Sequence, residues 1–261
     1  MTALVSILDA RGVATLRLNR PEVHNAFDDG LIAELNDAID HFARHPDVRL
    51  LVLASSGKSF SAGADLGWMK RMALYSRADN EADAGELERL MRGLYEFPKP
   101  TLAIVQGAAY GGAVGLVSCC DIVIASNKAS FSLSEAKLGL APAVISPYVI
   151  AAIGARQASR YFLSAERFDA ERAREIGLVH EITPPEALES TAEAMISTLL
   201  DNGPIALMAC KALVRKISPA SSDDIRHYTT TLIASLRTSQ EGQEGLGAFL
   251  EKRAPAWQRK S

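Results

Sequence analysis

Three short and almost wholly apolar runs constrain this chain more than any other feature: Leu50-Leu-Val-Leu-Ala54, Thr101-Leu-Ala-Ile-Val105 and Asp121-Ile-Val-Ile-Ala125. A strand with one face in water alternates apolar and polar residues. A run without alternation needs cover on both faces, which a parallel sheet between helices supplies. Val13 to Leu18 reads as a fourth strand, and helical periodicity appears at Leu31 to Ala43 and at Glu81 to Tyr95. This alternation predicts βα units around a mostly parallel sheet, an α/β fold. The opening MTALVSILDARG lacks a basic stretch and a small-residue cleavage site, and reads as one more short strand.

From about Ser146 the strand signal nearly stops, with Leu178 to Ile182 as one short candidate. Helices are expected over Pro185 to Leu200, Pro204 to Ile217 and roughly Ser222 to Lys252, the first two parted by Asn202-Gly203-Pro204. The chain therefore divides into a core over 1–200 and a helical region over 201–261. The apolar stripes of that region suit a partner subunit and the chain's own core equally.

Charge and cysteine content remove whole classes of function. The 261 residues carry a formal net charge of -3, so no basic face marks a nucleic-acid partner. Lys211 to Lys216 and Lys252 to Lys260 read as solvated helix faces. No apolar run approaches the roughly 20 residues that span a bilayer. Cys119, Cys120 and Cys210 form neither a disulfide framework nor a zinc spacing, and read as small buried residues in a reducing cytoplasm. His41 and His45 stand i, i+4 without a third ligand, so an exposed helix face is the better reading and no metal is expected. No GxSxG elbow offers a serine nucleophile.

Three segments can carry chemistry. Phe60-Ser-Ala-Gly-Ala-Asp-Leu66 follows the first apolar strand and enters a helix, with Asp65 placed to cap it. Gln106-Gly-Ala-Ala-Tyr-Gly-Gly-Ala-Val-Gly115 follows the second, and its glycines are spaced wrongly for a dinucleotide fingerprint. Each segment offers unpaired N–H groups where a strand ends and a helix begins. A tight connection or close helix packing explains either segment alone. Two such donors together make an oxyanion hole for a thioester oxygen gaining enolate charge. The third segment, Phe131 to Pro142, sets Glu135 between Leu133 and Leu138. Desolvation there would raise the carboxyl pKa toward the range useful for proton transfer, whereas a surface glutamate would pair with Lys137 or Arg156. His24 suits a cap position better than a base.

These segments, with LNRPEVHNAF at Leu18 to Phe27, CDIVIAS at Cys120 to Ser126 and AFLEKRAPAW at Ala248 to Trp257, resemble the crotonase (enoyl-CoA hydratase/isomerase) superfamily along the whole chain. The resemblance implies a crotonase-like spiral of ββα units with a C-terminal helical trimerisation region, assembled as a homotrimer or homohexamer. It implies an acyl-CoA thioester substrate, with coenzyme A as part of the substrate and no separate cofactor. The family's oxyanion donors fall on the N–H groups of Ala64 and Gly112, and its acid/base glutamate on Glu135. Its coenzyme A pocket falls near Val23, Ala26, Ala62, Ala64, Asp65 and Leu66, with Lys252 toward the nucleotide phosphates.

One departure matters: a first glutamate, usual in straight-chain hydratases, falls on Gly115. Single-glutamate members include Δ3,Δ2-enoyl-CoA isomerases. Conversely, Leu140-Ala-Pro-Ala-Val-Ile-Ser-Pro-Tyr148, with GAAYGGAVGLVSCCDI and FSAGADLGWM, resembles bacterial hydratases of branched, carboxylated enoyl-CoAs such as 3-methylglutaconyl-CoA or isohexenylglutaconyl-CoA. The expectation is a hydratase using Glu135 in leucine or acyclic terpene breakdown, with an isomerase or an idle CoA-binding protein as rivals. Ser146, Tyr148 or the substrate's own carboxylate would position water, and Met69, Met72, Tyr75 and Tyr148 would wall the acyl pocket.

Overall fold

A computed structural model describes residues 2–72, 74–217, 240, 241, 244, 248, 251 and 253–257. Six strands make the main sheet: β1 (Leu4–Leu8), β2 (Val13–Leu18), β3 (Leu50–Ser55), β4 (Thr101–Val105), β6 (Ile122–Ser126) and β9 (Glu181–Thr183), in spatial order β1-β2-β3-β4-β6-β9. Only the β1–β2 hairpin is antiparallel; every later pairing is parallel. A second sheet joins three-residue strands β5 (Ala108–Tyr110), β7 (Ser130–Ser132) and β8 (Arg167–Asp169). Strands this short carry no readable period, which is why the sequence shows four long strands and misses this sheet.

Helices α1 (Asp29–Arg44), α3 (Arg77–Tyr95), α4 (Gly112–Cys119) and α5 (Ser146–Ser164) cover one face of the main sheet, burying Leu35, Leu94, Val114 and Val149 against Leu51 and Leu53. Helix α7 (Leu188–Leu200) covers the other, setting Leu188, Ala192, Ile196 and Leu199 on Leu50, Val52 and Ala54. Alternate residues of β3 thus reach two separate cores, as a run without polar alternation requires. Helix α3 begins four residues before its apolar stripe, because Ser76 and Asp79 form a reciprocal capping box. Strand β6 begins at Ile122, not Asp121, since the Asp121 carboxylate accepts from Thr101 N and Oγ1 at 2.8 and 3.0 Å.

Helix α8 (Pro204–Ile217) corrects two expectations. Its Lys211 is no solvated charge: the side chain is 7% exposed and pairs with Asp121 at 2.6 Å. Arg215 adds a second contact to Asp121 and lies 4.4 Å from the Tyr95 ring centroid. The partly buried Asp121 draws the basic face of α8 inward. Cys210 is exposed, while Cys119 and Cys120 are buried as expected. Most of the helix expected over Ser222 to Lys252 lies outside the described residues, and its described positions are helical.

Burial pulls the Lys211 ammonium down to about 8, against the attraction of Asp121. Asp121→Asn keeps the acceptors for Thr101 and removes only the charge. It is expected to cost about 2–3 kcal/mol at pH 7, less than a fully buried pair because Asp121 is 27% exposed. The pair needs a charged lysine, and without Asp121 the folded-state pKa falls further, so that cost shrinks as pH rises to and through about 8, where wild-type Lys211 loses its proton. Urea denaturation at pH 7 and pH 9.5 checks both the size and the sign.

Candidate active site

The connection after β3 and the strand β5 are zipped together. Ser61 N donates to Ala108 O and Tyr110 N to Ser61 O, both at 3.0 Å. On the other side, Phe27 N donates to Gly63 O and Asp65 N to Phe27 O, both at 2.9 Å. In this parallel bridge Ala64, between the two bonded residues, turns its own N–H away from Phe27. Gly63 makes the bend at φ +90, and a Cβ there would lie 2.8 Å from Tyr110 O. Helix α2 (Leu66–Met72) then starts with Asp65 Oδ1 accepting from Gly67 N at 2.8 Å and Trp68 N at 3.2 Å, the cap expected from sequence.

Gly112 is the first residue of α4, so its N–H lies outside that helix's own ladder. Gly111 before it adopts φ 55, ψ -126, and Phe27 packs so closely that a Cβ on Gly112 would meet its ring at 2.5 Å. Ala64 and Gly112 line one cavity of about 250 Å3 together with Glu135. Three segments distant in sequence thus converge on one space.

Glu135 opens a short 3-10 turn over Glu135–Leu138, directly after β7. The turn ends at Gly139 in the left-handed region, and Leu140 N returns to Glu135 O at 3.0 Å. The carboxyl is half-buried, and its Oε2 has no hydrogen-bond partner. Oε1 lies 3.4 Å from where a Cβ on Gly111 would stand, beside the Gly112 donor. Burial pushes the Glu135 carboxyl above the usual range, and its own backbone N–H opposes this in part. No lysine or arginine offsets this burial among the described residues, so the surface pairing with Lys137 or Arg156 fails. A buried carboxyl lacking a countercharge can hold a proton near neutral pH and pass it on.

Gly115 stands at the position of the absent first glutamate, and the space for a side chain there is filled. A Cβ on Gly115 would lie 2.3 Å from Ile145 Cγ2, 2.7 Å from Ile145 Cβ and 3.2 Å from Met91 Sδ. Ile145 also lines the cavity, so its wall at this point is apolar.

Of the residues assigned to coenzyme A, Val23, Ala62 and Leu66 are exposed, Leu66 at 74%, and Ala26 is buried. The two loops that carry them are tied by Ala62 N to His24 O at 2.9 Å. Asp65 is held by Arg20, which also pairs with Asp28 at 2.8 Å. Lys252 lies outside the described residues. Of the expected pocket walls only Met72 lines the cavity; Met69, Tyr75 and Tyr148 do not, and Tyr148 packs on Tyr95 at 5.2 Å between ring centroids. Ser146 is also absent from the lining, its hydroxyl donating to Ala143 O at 2.8 Å. The sequence reading missed Phe27, Trp68, Asp83 and Ile145 as lining residues. Helical spacing across Asn80, Asp83, Ala84 and Leu87 marks a face of α3, but not what that face looks onto.

No described helix is long and apolar enough to cross a membrane, and no described group of three or more His, Cys, Asp or Glu is placed to hold a metal. Ala64 and Gly112, each next to a helix start, share the lining of one cavity with the desolvated Glu135. The chain belongs to the enoyl-CoA hydratase/isomerase family, whose model matches residues 9–260. It is similar to the crystal structure of an enoyl-CoA hydratase from Shewanella pealeana, at 48% identity and a TM-score of 0.94, over 98% of this chain and 96% of that one. It is also similar to the 2,3-dehydroadipyl-CoA hydratase of Escherichia coli, at 30% identity over 93% of this chain and 94% of the relative. The trans-2-decenoyl-[acyl-carrier-protein] isomerase of Streptococcus mutans matches at 32% identity over 94% of each. The sequence and the fold thus agree on an enzyme of the enoyl-CoA hydratase type with the crotonase fold.

Proposed function

We propose that this protein adds water across the α,β-double bond of an enoyl-CoA thioester. The convergence on one cavity of Ala64, Gly112 and Glu135, whose Oε2 has no hydrogen-bond partner, carries this reading. The two donors take the thioester oxygen and stabilise the enolate as charge develops. Glu135 gives a proton to the α-carbon; acting alone, it would also have to take one from the water. The soluble setting we assign is the cytoplasm. The assembly is a homotrimer or homohexamer, for which the exposed Ile205, Met208 and Val214 of α8 offer apolar contact surface.

For the acyl group we propose a 3-branched, carboxylated chain such as 3-methylglutaconyl or isohexenylglutaconyl. Its support is the sequence resemblance around Leu140 to Tyr148, together with a relative whose named substrate is a dicarboxylic enoyl-CoA. Against it stands the cavity lining, which holds two carboxyls and no lysine or arginine among the described residues. The reading therefore requires that the distal carboxylate meet a cation beyond the cavity wall. The second reading, isomerisation of a 3-enoyl-CoA by Glu135 alone, is favoured by the filled space at Gly115.

Incubation with 3-methylglutaconyl-CoA, 3-methylcrotonyl-CoA, crotonyl-CoA and 3-hexenoyl-CoA, followed by mass spectrometry, separates these readings. The expected result is a gain of one water on the first, with kcat/KM at least about tenfold above its neutral analogue, the size of one charge-assisted contact. Equal rates on the first two would remove the carboxylate from the proposal. Conversion of the last without any hydration would replace the hydratase by the isomerase.

A further inference from the structure

We propose that Asp83 is the second carboxyl group of the hydration reaction, the base that takes a proton from the water being added. The inference rests on the hydratase reading above. It starts from a deficit in the site: water must be held and deprotonated at the β-carbon while a proton reaches the α-carbon, and position 115 is sterically closed to a side chain. Apart from the Trp68 indole, which has no basic atom, three described polar side chains line the cavity: Asn80, Asp83 and Glu135. Asn80 is no base, and its Nδ2 already donates to the carbonyls of Met72, Tyr75 and Ser76 at 3.4, 3.3 and 3.1 Å. Asp83 is left.

Its setting suits a base. Asp83 comes from α3, whereas Glu135 comes from the turn after β7, so the two carboxyls reach the cavity from different elements. The indole Nε1 of Trp68 donates to Asp83 Oδ1 at 3.1 Å and fixes the carboxylate's orientation. Trp68 is itself buried, with its ring 6.5 Å from that of Phe27, the residue packed against Gly112. The Trp68 bond engages Oδ1 and not Oδ2. Burial pushes this carboxyl above the usual aspartate range, with Trp68 opposing, Asp29 adding to the rise and Arg71 opposing, which makes it a stronger base than a solvated aspartate. A cavity of about 250 Å3 has room for a water beside the reacting carbons.

The step balances. Asp83 takes one proton of the water as the oxygen bonds to the β-carbon, and the π electrons move into an enolate held by the Ala64 and Gly112 N–H groups. Glu135, in its acid form, gives its proton to the α-carbon. Solvent then carries the proton from Asp83 back to Glu135, for a net gain of one water.

The test compares wild type, Asp83→Asn and Asp83→Glu on two reactions: hydration of 3-methylglutaconyl-CoA and crotonyl-CoA, and isomerisation of 3-hexenoyl-CoA, which needs only one base. Asp83→Asn is expected to lower kcat for hydration about 100-fold or more, with KM and isomerisation each within about threefold of wild type. Asp83→Glu, which returns a carboxylate, is expected to recover at least about tenfold of the loss. Hydration by Asp83→Asn within threefold of wild type would overturn the inference. So would a parallel fall in both reactions, the mark of a merely structural role through Trp68. Wild type that hydrates neither substrate would sink the hydratase reading, and this inference with it.

Discussion

Glu135→Gln is expected to lower kcat for hydration by about a thousandfold while coenzyme A thioester binding stays within about threefold, because the amide keeps the shape of the carboxyl and loses only its proton transfer. Stopped-flow turnover and calorimetric titration with a saturated acyl-CoA read the two quantities separately. The same substitution is expected to stabilise the fold at neutral pH. Burial raises the Glu135 pKa in the native state, so the folded protein holds the proton over a window where the unfolded chain has lost it. Stability falls as pH rises through that window, from the ordinary glutamate range up to the raised value, and the cost is fully present above it. Glutamine does not ionise and escapes the cost. The variant should therefore melt above wild type at pH 7, and the gap should close as pH drops below the ordinary glutamate range. A variant that is fully active, or one that melts lower at pH 7, would remove Glu135 from the role assigned to it.

Gly115→Glu, which writes the family's first glutamate into this chain, is expected to destabilise the fold by about 4 kcal/mol, not to improve hydration. An ordinary helical glycine gains from a Cβ. Here that atom would sit 2.3 Å from Ile145 Cγ2 and 2.7 Å from Ile145 Cβ. Gly115→Ala isolates the steric part, for which about 1–3 kcal/mol is expected. The further loss with glutamate measures the cost of burying a carboxylate beside Ile145 and Met91. Adding Ile145→Ala to Gly115→Glu removes the closer contact and leaves the 2.7 Å one, so it should restore only part of the loss. Urea denaturation of the three variants checks the series. A stable Gly115→Glu protein with faster hydration would show that the Ile145 wall yields and that the two-glutamate arrangement is open to this fold.

The parallel sheet was legible because β3, β4 and β6 are buried on both faces and therefore carry no polar residue to break their runs. The Asp65 cap was legible because capping is local, decided within one turn of the residue. The second sheet was not, since β5, β7 and β8 have three residues each and are held by pairing with distant chain, not by their own pattern. Lys211 was misjudged for the same reason. Its burial depends on Asp121, ninety residues earlier in the chain, and nothing within α8 announces that partner.

The sequence alone determined the α/β class, the family and the three segments singled out as candidates for the site, because apolar periodicity, glycine pairs at strand ends and an isolated glutamate are properties of short stretches. Only the tertiary structure decided that Ala64, Gly112 and Glu135 border one cavity, that Ile145 closes the space at Gly115, and that Asp83 and Trp68 share the wall. Those are contacts between segments tens of residues apart. They are set by how the strands order in the sheet and by which face of α3 meets the cavity, and a one-dimensional pattern records neither.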